Sequence, residues 1–204
     1  MSDPRDRFSE MYAAAERGGA AVPWDHEGPH SHLRHWLERR PVDGAGKSAV
    51  VVGCGYGRDA AHLASLGFRT TGFDFVPEAV AEARRRHGDT GIDLRVADLL
   101  ALPAEWLRAF DLVFESLTIQ SIPPDRRADA TAAVASLVAP GGTLVVVASA
   151  LDEGEVKGPP WPLYRADIDR FTEHGLEPVS IDRVGPPDRF ATDPWLAEFR
   201  AAVG

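Results

Sequence analysis

The residues best suited to chemistry in this sequence stand where predicted strands end. The run GCGYG at 53–57 follows an apolar stretch, and its glycines permit a tight turn and close approach of a ligand to the backbone. Asp74 ends the next predicted strand, 74 − 53 = 21 residues after the first glycine, where a carboxylate can bind the ribose of an adenosine. Asp98 ends the third strand. Each aspartate could instead cap a helix, and the glycine run could be a structural turn.

The spacing of the glycines discriminates between ligands. A dinucleotide-binding fingerprint reads GxGxxG, whereas this run reads GxGxG and continues with Arg58 and Asp59. The sequence contains no phosphate loop of the GxxxxGKS or GxxxxGKT type. Two acidic strand ends without a pyrophosphate fingerprint favour an adenosine ligand that lacks phosphates, such as S-adenosylmethionine. A nucleotide-dependent oxidoreductase on a related sheet is the alternative enzyme class.

The histidines at 26, 30, 32 and 35 raise the question of a metal site. Their spacing matches no structural zinc pattern and no cysteine lies nearby, so we predict no bound metal. Cys54 is the single cysteine and stands between two glycines, where we expect a small buried residue rather than a nucleophile.

Alternating strands and helices must position these residues. After a helical stretch that reaches residue 40, interrupted by a loop at 22–30, the pattern predicts strands at 48–52, 69–73, 93–97, 110–114, 143–148, 177–184 and 195–202, and helices at 58–66, 77–87, 124–138 and 165–173. Ser31 is predicted to cap the second N-terminal helix. Such alternation indicates βαβ units with a parallel sheet. The arginine run 84–86 falls at a helix end, where cations complement the helix dipole.

Composition narrows the class of protein. The chain has 204 residues, 44% hydrophobic and 26% charged, which predicts one globular domain. The net charge of −9 gives no general attraction to phosphate backbones, so nucleic acid is not an expected partner. No apolar run approaches the roughly 20 residues of a membrane span, and the first residues lack the apolar stretch of a signal peptide. We therefore expect a cytoplasmic protein without a membrane partner.

Together these motifs resemble those of class I S-adenosylmethionine-dependent methyltransferases. The likeness rests on four segments, VVVGCGYGRDA at 50–60, LGF at 66–68, TGFD at 71–74 and LVAPGGTL at 137–144. More narrowly, three others resemble the thiopurine S-methyltransferase and thiol/halide methyltransferase superfamily, namely PWD at 23–25, FDLVFESLT at 110–118 and PPDRR at 123–127. Most class I enzymes carry an acidic residue at the place of Val51, but this superfamily commonly lacks it.

The resemblance implies an α/β fold, a single-domain, doubly wound, Rossmann-like unit with a seven-stranded, mostly parallel sheet. Residues 41–204 would form this methyltransferase domain and residues 1–40 a helical lid. The implied reaction is in-line transfer of a methyl group from S-adenosylmethionine to a small-molecule acceptor, which leaves S-adenosylhomocysteine. The acceptor atom stays open among sulfur, oxygen, nitrogen and halide, and the oligomeric state is not predicted. A catalytically silent protein that binds an adenosyl ligand is the alternative from another class.

The same resemblance implies roles for individual residues. The cofactor site would comprise Trp24, Gly53, Cys54, Gly55, Gly57, Asp59, Asp74, Phe75, Asp98, Leu99, Glu115 and Ser116. Apart from the resemblance, we expect the acceptor to contact His26, Gln120, Trp161 and Tyr164. His26 or Glu115 would be the general base for a hydroxyl or a protonated amine, whereas a thiolate or halide needs none. Trp24 could cover the sulfonium or simply pack between two helices. Trp161 and Tyr164, in the proline-rich segment 159–164 at the end of the long loop 153–162, are predicted to form an apolar lid over the acceptor.

Overall fold

Seven strands form one sheet in the computed structural model, which describes residues 4–40, 42–154, 158–185 and 193–204. The strands are β1 (Ser48–Val52), β2 (Arg69–Asp74), β3 (Asp93–Val96), β4 (Phe110–Ser116), β5 (Val138–Ala148), β6 (Leu176–Arg183) and β7 (Trp195–Ala201). Their order in the sheet is β3-β2-β1-β4-β5-β7-β6. Strands β1 to β5 pair in parallel, whereas β7 is antiparallel to both β5 and β6. The carboxyl ends of β1 to β5 therefore meet at one edge.

The described helices are α1 (Pro4–Glu16), α2 (Ser31–Arg39), α3 (Arg58–Ser65), α4 (Pro77–His87), α5 (Arg127–Ser136) and α6 (Arg165–Asp169). The prediction of an α/β fold with a seven-stranded, mostly parallel sheet is confirmed. No helix in the described ranges is both long and apolar enough to cross a bilayer.

Strand β1 shows why the sheet is covered on both faces. Its side chains alternate between two hydrophobic clusters, with Val50 and Val52 in one and Ala49 and Val51 in the other. An uninterrupted apolar strand of this kind is typical of a parallel sheet buried on both sides. Helix α2 contributes Leu33, Trp36 and Leu37 to the second cluster, so it packs into the core of the domain. Because α2 belongs to the core, only α1 and the loop that follows it are left to cover the cavity described below, which their residues line.

Three local predictions differ from the structure. The cap of α2 is His30, whose Nδ1 accepts a hydrogen bond from the backbone N of His32 at 3.2 Å, while Ser31 is already helical. The helix predicted over 124–138 begins at Arg127, after a short 3₁₀ turn. Strand β5 begins at Val138 rather than 143. Val138 already pairs with Phe110 of β4, and residues 139–142 form a bulge before the pairing resumes between Thr143 and Leu112.

Candidate functional site

The glycine loop 53–57 connects β1 to α3 and adopts a conformation that requires glycine. Gly53 and Gly55 have φ of 60° and 50°, in the left-handed region that side chains disfavour. A Cβ on Gly53 would also collide with Oγ1 of Thr118, and one on Gly55 would come within 3.0 Å of the Tyr12 hydroxyl. The loop is thus packed tightly between the chain after β4 and helix α1, and its backbone can approach a ligand closely.

Asp74 at the end of β2 holds the glycine loop. Its Oδ2 accepts a hydrogen bond from the Gly55 backbone N and its Oδ1 from the Val76 N, both at 3.0 Å. Burial raises the pKa of this carboxyl, and the hydrogen bonds from Val76 and Gly55 partly oppose that rise. Asp74 and the following Phe75 both line the cavity described below. Asp74 therefore orients the loop and faces a ligand site at once.

Asp98 after β3 caps the short 3₁₀ turn Leu99–Ala101. Its Oδ1 accepts a hydrogen bond from the Leu100 backbone N at 2.9 Å. Asp98 and Leu99 both line the cavity, beside Phe75 from the neighbouring strand end. Asp98 therefore caps the turn and also lies on the cavity wall.

Glu115 near the end of β4 lies behind the site. Its side chain is fully buried, and Oε1 accepts hydrogen bonds from the backbone N of Thr118 at 2.7 Å and of Ile119 at 2.9 Å. Burial raises its pKa to about 7, against the lowering effect of these two N–H groups. Glu115 is not among the described residues that line the cavity, whereas Ser116 is. Glu115 thus fixes the loop 117–121 rather than facing an acceptor.

The loop after β4 is held in an unfavourable backbone conformation. Leu117 has φ of 61°, which costs a non-glycine residue roughly 1–2 kcal/mol. Thr118 donates a hydrogen bond from Oγ1 to the Val52 carbonyl at 3.1 Å, which ties this loop to β1. Gln120 is almost fully buried, and its Oε1 accepts a hydrogen bond from the Ser149 backbone N at 2.6 Å. Gln120 lines the cavity, as its predicted acceptor-facing position requires.

Helix α1 forms the opposite wall, which the sequence reasoning missed. Arg7, Phe8, Met11 and Tyr12 all line the cavity. The spacing of Phe8, Met11, Tyr12 and Ala15 at i, i+3, i+4 and i+7 was the available signal, since it marks one apolar face of a helix. That periodicity predicts a buried face but does not indicate what the face covers.

Trp24 joins α1 in an aromatic cluster above the glycine loop. Its indole Nε1 donates a hydrogen bond to the Tyr12 hydroxyl at 2.7 Å, and the Phe8 ring centroid lies 5.6 Å from that of Trp24. Tyr12 is 3% exposed, and burial raises the pKa of its hydroxyl, as does the nearby charge of Asp74. Trp24 lines the cavity. The cluster places the aromatic ring over the loop, where the resemblance puts the sulfonium.

His26 and His30 both line the cavity, but their chemistry differs. His26 Nδ1 is buried and has no hydrogen-bond partner. His30 uses its Nδ1 as an acceptor, and burial followed by the charge of His32 lowers its pKa to about 4. The backbone N of His30 donates a hydrogen bond to Asp59 Oδ1 at 2.6 Å. Burial raises the pKa of Asp59 to about 6, although the hydrogen bond from His30 acts to lower it. Asp59, which also lines the cavity, ties the loop to α3.

The structure does not bring Trp161 and Tyr164, the residues of the predicted lid, to the cavity wall. Neither residue is among the described residues that line the cavity. Of the described residues in the segment 158–164, Pro160 lines it. The backbone of this segment is fixed on both sides, because the Arg127 guanidinium donates to the Trp161 carbonyl at 3.3 Å and the Trp161 backbone N donates to the Gln120 carbonyl at 2.7 Å. The Tyr164 hydroxyl donates to the Gly154 carbonyl instead of reaching the cavity.

These elements enclose one cavity of about 1020 Å³, at the upper end of the range of ligand pockets. One end is bounded by the glycine loop, Asp74 and Asp98, and the other by Ser116, Gln120 and the chain that follows β4 and β5. The Ser116 hydroxyl is buried without a hydrogen-bond partner, like Nδ1 of His26. Burial raises the pKa of the Cys54 thiol well above its usual value, so the cysteine is not activated as a nucleophile.

Comparison with known proteins agrees with this architecture. Residues 49–142 match the family model of a methyltransferase domain. A ubiquinone biosynthesis O-methyltransferase of Xanthomonas axonopodis pv. citri (strain 306) is 34% identical over 133 residues, which cover 59% of this chain and 53% of that protein. A probable thiol methyltransferase 2 of Arabidopsis thaliana is 26% identical over 195 residues, which cover 89% of this chain and 83% of that protein.

A solved structure extends the likeness to the whole fold. The N-methyltransferase NodS from Bradyrhizobium japonicum WM9, in complex with S-adenosyl-L-homocysteine, superimposes with a TM-score of 0.71 at 23% identity over 94% of this chain and 98% of that chain. The chain therefore has the class I S-adenosylmethionine-dependent methyltransferase fold, with residues 49–142 as its methyltransferase-domain match. It spans about half the length of the ubiquinone-biosynthesis relatives that it matches.

Proposed function

We propose that the protein is an S-adenosylmethionine-dependent methyltransferase that acts on a small-molecule acceptor. The observation that carries the proposal is the cavity of about 1020 Å³, which joins a glycine cradle and two acidic strand ends to open space at the ends of β4 and β5. A volume of about 1020 Å³ leaves room for an acceptor beside a cofactor. The match to a methyltransferase domain supports the same assignment.

The residues present fit S-adenosylmethionine, which supplies an electrophilic methyl group on a sulfonium. The backbone of Gly53 and Gly55 would hold the amino acid portion, because both glycines line the cavity. The unpartnered Ser116 hydroxyl would bind there too. Asp74 would bind the ribose, and Phe75 with Asp98 and Leu99 would surround the adenine. Trp24 would stabilise the positive charge by a cation–π contact.

The protein's own contribution to methyl transfer is orientation. Holding an acceptor in line with the methyl group can remove several kcal/mol from the barrier without any proton transfer. The acceptor would lie over the ends of β4 and β5, beside Gln120 and Ser149. Arg7 lines the cavity and donates a hydrogen bond to the Pro159 carbonyl at 3.2 Å, so it lies at this end, where its positive charge favours a thiolate or an acceptor with an acidic hydroxyl. Relatives named as an O-methyltransferase and a thiol methyltransferase support oxygen or sulfur as the acceptor atom.

The thiopurine and thiol methyltransferase group remains the narrower proposal. It is supported by the PWD motif at 23–25, whose tryptophan lies over the glycine loop, and by the Arabidopsis thaliana relative that matches most of the chain.

His26 would act as the proton acceptor when the acceptor group is a hydroxyl. Its Nδ1 is buried beside the cavity with no partner, whereas Nδ1 of His30 is already occupied. General-base catalysis contributes roughly 10²–10⁴-fold to a rate. His26→Gln should therefore lower kcat on a phenol at least about 100-fold and change the rate on an aromatic thiol far less. His174→Gln, an exposed histidine beyond the cavity lining, is the matched control.

The decisive test is titration of the purified protein with S-adenosylhomocysteine and with NAD, followed by transfer of labelled methyl groups to thiols, phenols and amines. The proposal requires micromolar binding of S-adenosylhomocysteine and labelled product from at least one acceptor class. Binding without transfer to any acceptor would favour the silent adenosyl-binding protein. Binding of NAD alone would favour the oxidoreductase.

A further inference from the structure

The loop that carries Trp24 and His26 is anchored by the carboxylate between them. Asp25 Oδ1 accepts hydrogen bonds from Arg58 Nε at 3.0 Å and Nη2 at 2.6 Å, and from Arg86 Nη1 at 2.9 Å. Its Oδ2 accepts a further bond from Arg86 Nη2 at 3.2 Å. The Asp25 side chain is only 18% exposed, so this ion cluster is largely shielded from solvent.

The two arginines belong to the elements that build the cofactor cradle. Arg58 is the first residue of α3, directly after the glycine loop, and Arg86 lies in the last turn of α4. Arg86 also binds Glu82 Oε1 at 2.6 Å and packs over the Tyr56 ring of the glycine loop, 4.2 Å from its centroid. Arg86 is therefore held in place by contacts other than Asp25 and offers the carboxylate a prepared partner.

The charge of Asp25 is retained in this setting. Burial would raise the pKa of Asp25, but hydrogen bonds from Arg86 and Arg58 lower it below its usual value. Charge-assisted hydrogen bonds of this kind are about twice as strong as neutral ones. By contrast, Trp24 bonds to Tyr12 of α1, which is part of the same overlying segment. That bond is uncharged, and the segment it belongs to also packs on Val76 and Ala79 through Tyr12 and Val22, so Asp25 adds a charged attachment to an apolar one.

We propose that Asp25 is a positioning residue, which holds Trp24 and His26 over the cavity by binding Arg58 and Arg86. The inference rests on the proposed function, because the two positioned side chains matter only if the cavity binds the cofactor and acceptor. When Asp25 loses its charge, the loop 22–30 keeps the bond from the His30 backbone N to Asp59, but the stretch that carries Trp24 and His26 is held less firmly above the glycine loop. Trp24 then covers the bound ligand for a smaller fraction of the time, which weakens cofactor binding and lowers kcat together.

Asp25→Asn is the direct test, because it keeps the size of the side chain and removes the charge. We expect S-adenosylhomocysteine to bind about tenfold more weakly, the effect of losing one charged hydrogen-bond set. The control is Glu82→Gln, which removes another carboxylate from Arg86 but leaves the bonds between Asp25 and Arg58. The control should change the dissociation constant less than threefold.

Hydrogen exchange separates positioning from general loss of structure. On Asp25→Asn, amides within residues 20–30 should exchange faster while those of β1 and β4 stay protected. The rise in exchange on residues 20–30 should shrink when S-adenosylhomocysteine is added. Should Asp25→Asn fail to fold, Arg58→Gln is the second variant, because it removes two of the four hydrogen bonds and leaves Arg86 in place.

The outcomes distinguish this inference from the proposed function. If the wild-type protein and Asp25→Asn bind S-adenosylhomocysteine with equal affinity, the positioning role is overturned and the methyltransferase proposal stays intact. The same holds if Glu82→Gln loses as much affinity as Asp25→Asn. Absence of binding to the wild-type protein overturns both. Weaker binding confined to Asp25→Asn or Arg58→Gln, with faster exchange confined to 20–30, supports the inference.

Discussion

Glu115→Gln tests the reasoning about the buried carboxyl behind the site. In the folded protein, burial raises the Glu115 pKa from the usual 4.5 to about 7. A raised folded-state pKa means that the native protein binds the proton more tightly than the unfolded chain does. The contribution of Glu115 to stability is therefore fully present below pH 4.5 and is lost as the pH rises to 7.

The size of this loss follows from the two pKa values. Their difference of 7 − 4.5 = 2.5 corresponds, at 1.36 kcal/mol per pKa unit, to about 3 kcal/mol. Glutamine retains an oxygen that can accept hydrogen bonds from Thr118 and Ile119 but does not titrate. The free energy of unfolding of Glu115→Gln, measured relative to wild type, should therefore rise by about 3 kcal/mol between pH 4.5 and pH 7.5.

Urea unfolding of both proteins across pH 4.5–8 is the assay, and the difference between the two curves is the quantity of interest. Groups such as His30 and Asp59 also titrate in this range, but they are common to both proteins and cancel in the difference. Glu173→Gln removes an exposed carboxyl and controls for the change in net charge. A difference curve that stays flat from pH 4.5 to 7.5 would refute the assignment of Glu115 as a buried titrating group.

Three further predictions concern the loop and its cover. Gly53→Ala should weaken S-adenosylhomocysteine binding more than tenfold by calorimetry, because the new Cβ collides with Thr118 and the backbone has positive φ. Tyr12→Phe leaves the Trp24 N–H without its acceptor and should lower the urea-unfolding free energy by about 1–2 kcal/mol; an unchanged midpoint would contradict the bond. Arg108→Gly should raise Tm slightly, since φ of 55° disfavours the exposed arginine; a lower Tm would argue against that strain.

Strand and helix positions near the site were predictable because local sequence determines them. The continuous apolar run of β1 and the proline at the start of α4 gave the observed bounds, Ser48–Val52 and Pro77–His87. The cap of α2 was predicted wrongly because serine is the commoner capping residue, whereas His30 has the required acceptor in Nδ1. No local pattern distinguishes such a histidine from one in a loop.

Two walls of the cavity depend on contacts between distant parts of the chain, so the sequence indicated neither the role of α1 nor the course of the segment 159–164. Trp161 and Tyr164 form an aromatic, proline-rich segment, but Arg127 and Asp167 decide where that segment lies. Likewise, the arginine at 86 was assigned to the helix dipole, although it binds Asp25, 61 residues away in sequence. Such pairings follow from the tertiary fold and leave no periodic signal.

The carboxylates at the strand ends explain why the position of the site could be predicted from the sequence, although two of its walls could not. Asp74, Asp98 and Glu115 each accept hydrogen bonds from backbone N–H groups of the loop that follows their own strand. Asp74 and Asp98 do so while lining the cavity. A carboxylate that fixes the glycine loop and also lines the cavity couples the position of the loop to ligand binding, so Asp74→Asn should reduce ligand affinity. The loss of ligand affinity in Asp74→Asn should therefore exceed the contribution of one ribose hydrogen bond, because the substitution also removes the carboxylate oxygen that accepts from the Gly55 backbone N.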